Sequence, residues 1–573
     1  MHNALLVSEI LSVIFHHVQN LDQNKVFPTS KRTLSCCART CKAWTEPALE
    51  LLWERLNSIM PLLQLFSESR LIIGSRPPKT WKFKHYLRPG DWKSFSRYSP
   101  FVRHLTFRED EGVACSALVA LAVQRPAQYR TSHLLPNLVF LNWIISSSDY
   151  LALCAIMVSP SLTSLTLTMK GAGGLLTEKN DVIGGLLCTT ANIAQGLKEL
   201  HLDIEGFWLV KDMVDILISF HELEVLTLEV GSPGAFIARD LKAHPTIRKL
   251  KLNIQDFNKS ITHKFKPLTY HEGDYPALEE LTIVGDWYAT NLTLRSIVPA
   301  PTRTLTVCSF SLPNLRRFAI CLEMIVEASP RLEVLQMAVC IPEGGEDQVF
   351  RWPNYISSSA LLSLTALKQL VELSLDIGVP VELDDEDAIY LISSLPKLRV
   401  CVICPGFWCE RSRITPSFLG WVARNAKRIT SLGLPIYMDL FWQPGFISSF
   451  SPVESSQLAP VPALQTLYLS GPMPLLSTAD EIAAYLLSLF PALETIHSTS
   501  TVYDGSLFFW YEVAAALERR REPMSESSEY FDCVEDEVDG DVFGDEDEEG
   551  EWMRLGADLK AEEWIRNWGR LGV

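Results

Sequence analysis

The sequence predicts an α/β solenoid, built from stacked strand–helix units and preceded by a small all-α module. Three observations carry this reading. One short phrase recurs about fourteen times along the chain: an apolar residue, two variable ones, an apolar, one variable, an apolar. Stretches with helical spacing separate the copies. Residues 1–66 lack the phrase and carry a helical periodicity of their own.

In residues 1–66, Leu6, Ile10, Leu11, Ile14 and Phe15 recur at three and four, which makes one apolar stripe on a helix. A polar stretch at 20–33 interrupts it. Helical spacing resumes through Leu34, Cys37, Ala38, Cys41 and Trp44, and after Pro47 through Leu49, Leu52, Trp53 and Leu56. Three helices in so short a segment enclose little apolar surface, so the unit calls for a partner or a neighbouring domain. Residues 67–99 form a joint. Basic and aromatic residues interleave there (WKFKHY at 81–86), a composition that can bind single-stranded nucleic acid. The helical spacing of Trp92, Phe95 and Tyr98 fits packing between the module and the first strand better.

The repeats occupy residues 100–505. The phrase reads PSLTSLTL from Pro160, PALEELTI from Pro276, PRLEVLQM from Pro330 and PALQTLYL from Pro462. Copies without the proline are GLKELHLD from Gly196, HELEVLTL from His221, KQLVELSL from Lys368 and KRITSLGL from Lys427. Degenerate copies start at Pro100, Pro136, Pro245, Pro313 (PNLRRFAI), Pro396 and Pro491, so that spacings run roughly from 24 to 38 residues with one near 17. Within a copy the last two apolar positions alternate with variable ones, as in a strand with one buried face. Helical spacing appears between copies, for example at 181–194, 209–220, 387–395 and 478–489. A strand and a helix alone cannot bury their apolar faces, so the units must stack. Residues 506–521 supply a capping helix. Residues 522–551 have the composition of a disordered acidic tail, and 552–573 carry Trp552, Leu555, Leu559, Trp564, Ile565 and Trp568 at the spacing of an amphipathic helix.

The repeated phrase resembles the leucine-rich repeat. That resemblance implies a horseshoe whose parallel strands line the concave side; at about 4.8 Å per strand, fourteen strands give a face on the order of 60 Å, the scale of a protein partner. A compact α/β domain is the alternative, and it leaves the number of copies unexplained. In the first segment, Leu6-Val7-Ser8-Glu9-Ile10-Leu11, then Cys41-Lys42-Ala43-Trp44, then Leu52-Trp53 resemble in order the three phrases of an F-box, with Val7 where that family has proline. This second resemblance implies docking on the Skp adaptor, and through it on the cullin and RING subunits of an SCF ubiquitin ligase. Leu6, Val7, Ile10, Leu11, Phe15, Cys41 and Trp44 would be shared between the module's core and that interface. The alternative is that residues 1–66 only cap the first repeat.

The net charge of −17 is concentrated: residues 522–551 hold about fifteen acidic residues and no Lys or Arg, which leaves roughly −2 for the rest of the 573 residues. No basic groove for nucleic acid is expected. The thirteen cysteines show no zinc spacing and read as small core residues in a reducing compartment. The start lacks a basic n-region and carries Glu9, and no apolar stretch reaches the ~20 residues of a membrane span. A cytoplasmic or nuclear protein without membrane contact is expected. HExxH, GxSxG and P-loop signatures are missing, so neither catalysis nor a metal or cofactor is expected.

Specificity is expected on the variable strand positions: Glu199, His201, Asp203, Thr227, Glu229, Lys249, Lys251, Glu280, Arg317, Glu372, Asp376 and Tyr468. Their mixed signs suit a target protein better than a polyanion. The expected function is that of a non-catalytic SCF substrate receptor, with a leucine-rich-repeat scaffold lacking any ubiquitin role as the alternative.

Overall fold

The computed structural model describes residues 7–20, 29–66, 71–73, 80–129, 133–170, 176–204, 211–230, 241, 244–254, 275–297, 302–310, 314–339, 355–404, 413–436, 464–469, 478–498 and 506–521. The acidic tail expected at 522–551, the amphipathic helix expected at 552–573, and Leu6 lie outside these residues. The chain divides into two units, Met1–Arg519 and Arg520–Val573, and the sheet and its core belong to the first.

Three helices open the chain, α1 (Ser8–Asn20), α2 (Thr29–Thr40) and α3 (Lys42–Glu54). They share a core of Leu11, Phe15, Leu34, Ala48 and Leu51, separate from the main one. The break between α2 and α3 falls at Cys41, whose extended backbone (φ −158°, ψ 161°) caps α3. The sequence periodicity put that break at Pro47, but Pro47 lies inside α3, buried. Thr45 fixes the corner by donating its hydroxyl to the carbonyls of Ala38 and Cys41, both at 3.0 Å.

α3 runs directly into β1 (Arg55–Leu56), which pairs parallel with the first full strand. The short strands β2 (Leu71–Ile73) and β3 (Trp81–Phe83) pair antiparallel by themselves. In this joint most of the aromatic residues pack inward, Tyr86 being exposed: Phe66 meets Phe83, Trp92 and Phe95 at ring distances of 5.3, 5.4 and 5.5 Å. Trp53 of α3 stacks on Tyr98 at 4.9 Å.

Among the described residues fourteen strands make up the repeat region. The first seven are β4 (His104–Arg108), β5 (Phe140–Ile145), β6 (Ser164–Met169), β7 (Glu199–Ile204), β8 (Val225–Val230), β9 (Lys249–Ile254) and β10 (Glu280–Gly285). Then come β11 (Thr304–Ser309), β12 (Val334–Val339), β13 (Glu372–Asp376), β14 (Val400–Ile403), β15 (Ser431–Gly433), β16 (Thr466–Leu469) and β17 (Thr495–Ser498). With β1 they form one fifteen-stranded parallel sheet whose spatial order is the chain order, β2 and β3 apart. A doubly wound α/β sheet would reverse its strand order at a switch point. This sheet never does, and it is the sheet of an α/β solenoid of the leucine-rich-repeat kind.

The register explains the repeated phrase. Leu105, Leu141, Leu165, Leu200, Leu226, Leu250, Leu281, Leu305, Leu335 and Leu373 are successive Cα partners and all buried, and Cys401, Leu432 and Leu467 continue the column. Each buried side chain contributes roughly 1.5–3 kcal/mol, and none can do so without its neighbours in the stack. The helix Ser506–Arg521 adds Phe509, Trp510, Val513 and Leu517 to the same core.

One repeat differs from the sequence reading. PNLRRFAI from Pro313 is a helix, Leu315–Ala328, N-capped by Asn314, and the strand of that unit is β11, ahead of it. Phe318, Cys321, Leu322 and Ile325 are buried at i, i+3, i+4 and i+7, a helical face. β11 escaped notice because its leading apolar position is Thr302, buried with its hydroxyl 3.3 Å from that of Ser329. The correction removes the anomalous spacing near 17 residues. It also moves Arg317 off the strand face and onto the helix, over the Tyr288 ring at 5.1 Å.

Candidate functional site

Two surfaces of the first unit present side chains that the fold itself does not use. One is on α1. At about 100° per residue, its apolar side chains spread over an arc of roughly 200°, twice what burial of one face needs. Leu11 and Phe15 fill the inner half, 1% and 2% exposed, with Trp44 set edge-on to Phe15 at 5.6 Å. The outer half stays in solvent: Val7 and Ile10 are each 42% exposed, Ile14 39% and Val13 70%. Cys41 and Trp44 are partly buried at the α2–α3 corner. Of the residues the sequence singled out, Leu11 and Phe15 are therefore core, while Val7 and Ile10 are surface. Val13 was missed, because a single stripe at three-and-four spacing skips it; the width of the arc was the signal that could have found it.

The other surface is the outward face of the sheet, where side chains alternate with the buried column. Three parallel rows cross it. In one, Glu199, Val225, Lys249, Glu280 and Thr304 are neighbours; in the next, His201, Thr227, Lys251, Thr282 and Thr306; in the third, Asp203, Glu229, Asn253, Val284 and Cys308. The register thus brings Glu199, His201, Asp203, Glu229, Lys249 and Lys251 onto three adjacent strands. Lys249 Nζ lies 2.9 Å from Glu280 Oε1. Burial raises the Glu229 carboxyl, and the Asp203 carboxylate beside it raises it further. Burial lowers the His201 imidazole, against the pull of Glu199.

Glu372, Asp376 and Tyr468 lie farther along the same face. Glu372 Oε1 accepts from Gln336 Nε2 at 2.5 Å, and Gln336 Oε1 accepts from Thr306 Oγ1 at 3.3 Å. Tyr468 stacks on His497 at 4.9 Å, next to Gly433, where an added Cβ would meet Tyr468 Cβ at 2.9 Å. Burial raises the Tyr468 hydroxyl, and Glu372 adds to it.

Burial pushes the Asp376 carboxyl up to about 6. A carboxyl raised in the folded state disfavours folding once ionised: the penalty is full above pH 6 and vanishes below the unfolded value near 3.8. At most about 3 kcal/mol is involved. Asp376→Asn should accordingly raise the melting temperature at pH 7.5, with the gain shrinking towards pH 4. A gain independent of pH would mean that the carboxyl is not enclosed.

Among the described residues no group of three or more His, Cys, Asp or Glu side chains could hold a metal ion, and no described helix is long and apolar enough to cross a membrane.

No known family model matches the chain, and neither does any curated protein sequence. Among solved structures it is similar to a TLR13–ssRNA13 complex, with 16% identity and a TM-score of 0.30 over 72% of this chain and 43% of that one. It is also similar to a Rad7 and Elc1 complex in yeast, with 13% identity and a TM-score of 0.26 over 74% of this chain and 93% of that one. The chain thus spans less than half the length of the first of these, and the fold assignment rests on the strand order and register.

Proposed function

We propose that this protein is the substrate-recognition subunit of an SCF-type ubiquitin ligase: α1 docks on the Skp adaptor and the outward face of the sheet holds a target protein. The observation that carries the reading is the exposed apolar half of α1, on a module whose own core is already filled by Leu11 and Phe15. Its side chains fall within and just after the first of the F-box-like phrases. The chain itself does no chemistry in this reading. It raises the effective concentration of target lysines near the charged enzyme, and direct passage of α3 into β1 makes that positioning stiff.

A second reading, an interaction scaffold with no ubiquitin role, draws on the same α3–β1 continuity, since a solenoid cap would be built that way. Deleting residues 1–66 would not separate the two, because the deletion removes β1 from the sheet in either case. Surface variants do. Val13→Asp with Ile14→Asp should abolish capture of purified Skp adaptor while leaving the melting temperature nearly unchanged, since neither side chain is in the core. A cap has no use for those side chains. Equal capture by the double variant and the unaltered protein, or no capture by either, rules the receptor reading out.

A further inference from the structure

The residue just ahead of each strand forms its own ladder, because its N–H donates to the carbonyl of the equivalent residue one repeat earlier. Glu224 bonds Lys198, Arg248 bonds Glu224, and the series continues through Glu279, Arg303, Glu333, Val371, Arg399 and Thr430. From Lys198 to Glu333 this ladder neutralises itself. Lys198 pairs with Glu224 at 3.4 Å, Arg248 with Glu279 at 2.9 Å, and Arg303 with Glu333 at 3.5 Å.

The alternation then stops. Val371 and Thr430 flank Arg399 where a carboxylate would be expected, and a cleft of about 560 Å³ opens there, lined by Val371, Lys397, Arg399, Arg428 and Thr430. Among the described residues no carboxylate lies within ion-pairing distance of Lys397, Arg399 or Arg428. Two of the three are nevertheless held in place. Lys397 Nζ donates to Gln369 Oε1 at 2.5 Å, and Arg428 Nη1 to the Pro396 carbonyl at 3.0 Å. Both partners are uncharged, so the side chains are oriented while their charge stays unbalanced.

We propose that this cleft binds an acidic peptide segment of a protein partner, with carboxylates paired to Arg399, Arg428 and Lys397. The three cations stand at separate points, and the cleft is much larger than a single small anion, so a ligand with several anionic groups fits better. Nucleic acid is less suited, since the described lining residues offer no aromatic ring for a base to stack on. The proposal deepens the reading of the repeats as a target-holding surface, and it is independent of what α1 binds.

The test is fluorescence anisotropy on the full chain, with a labelled glutamate-rich peptide, its glutamine counterpart and a single-stranded oligonucleotide of equal charge. The glutamate peptide should bind, the glutamine peptide should not, and affinity should fall steeply with salt. Arg399→Glu with Arg428→Glu should weaken it at least about tenfold, whereas Arg248→Glu with Arg303→Glu, whose charges are already paired, should change it less than about threefold. The Val13→Asp, Ile14→Asp variant should still bind the peptide, so the loss of one activity is told apart from the loss of the other. Failure of the unaltered chain to bind the peptide overturns the proposal. So does equal damage from both charge-reversed pairs, or tighter binding of the oligonucleotide that is lost with Arg399 and Arg428.

Discussion

Replacing Phe15 with alanine is expected to unfold α1, α2 and the first turns of α3 while the sheet beyond β4 stays folded. Among the described residues the module's buried core is Leu11, Phe15, Leu34, Ala48 and Leu51, and an aromatic-to-alanine change in a core costs about 3–5 kcal/mol. The change also removes the edge-on contact that holds Trp44. The main core begins at Leu56, and Trp53 packs on that side, so the break should fall within α3. Hydrogen exchange is the measurement: amides of α1, α2 and the first turns of α3 should lose protection, and those of β5 to β12 should keep it. If protection falls everywhere together, the module and the repeats are one cooperative unit.

That division was partly legible in the sequence. The helical periodicity of residues 1–66 and the strand phrase after Pro100 belong to different periods, so two kinds of packing were visible at once. The corner at Cys41 was not, because Pro47 is the stronger local punctuation and only the backbone shows that a proline sits within α3. On the sheet, alternation placed Glu199, His201, Asp203, Glu229, Lys249 and Lys251 on the outward face, but which of them are neighbours depends on register between segments up to about 35 residues apart. The basic cleft was hidden for another reason. A region whose net charge is roughly −2 reads as neutral, and composition says nothing of whether each cation has a carboxylate one repeat away. Alternation named Asp376, but its raised carboxyl was not legible, because it comes from enclosure and not from any neighbour in sequence.

The strand at Thr304–Ser309 gives the sharpest test of the repeat architecture, since the sequence favoured a different segment. Leu305→Asp should strongly destabilise the middle of the sheet while leaving the outer repeats folded. The side chain points into the core in register with Leu281 and Leu335, where a carboxylate finds no partner, and an unpaired buried charge costs more than about 4 kcal/mol. In a solenoid that cost is shared with the repeats on either side, so melting should move from a single cooperative transition to an early loss around β10 to β12. Ile320→Asp is the matching control. If PNLRRFAI were the strand, Ile320 would occupy an inward position equivalent to Leu167 and aspartate there would be as damaging. In the helix Leu315–Ala328 it is only partly buried, and a cost near 1 kcal/mol is expected. Thermal melts of the two variants side by side decide the matter: a large loss for Ile320→Asp together with a small one for Leu305→Asp would overturn the register of the middle of the sheet, and with it the outward rows on either side.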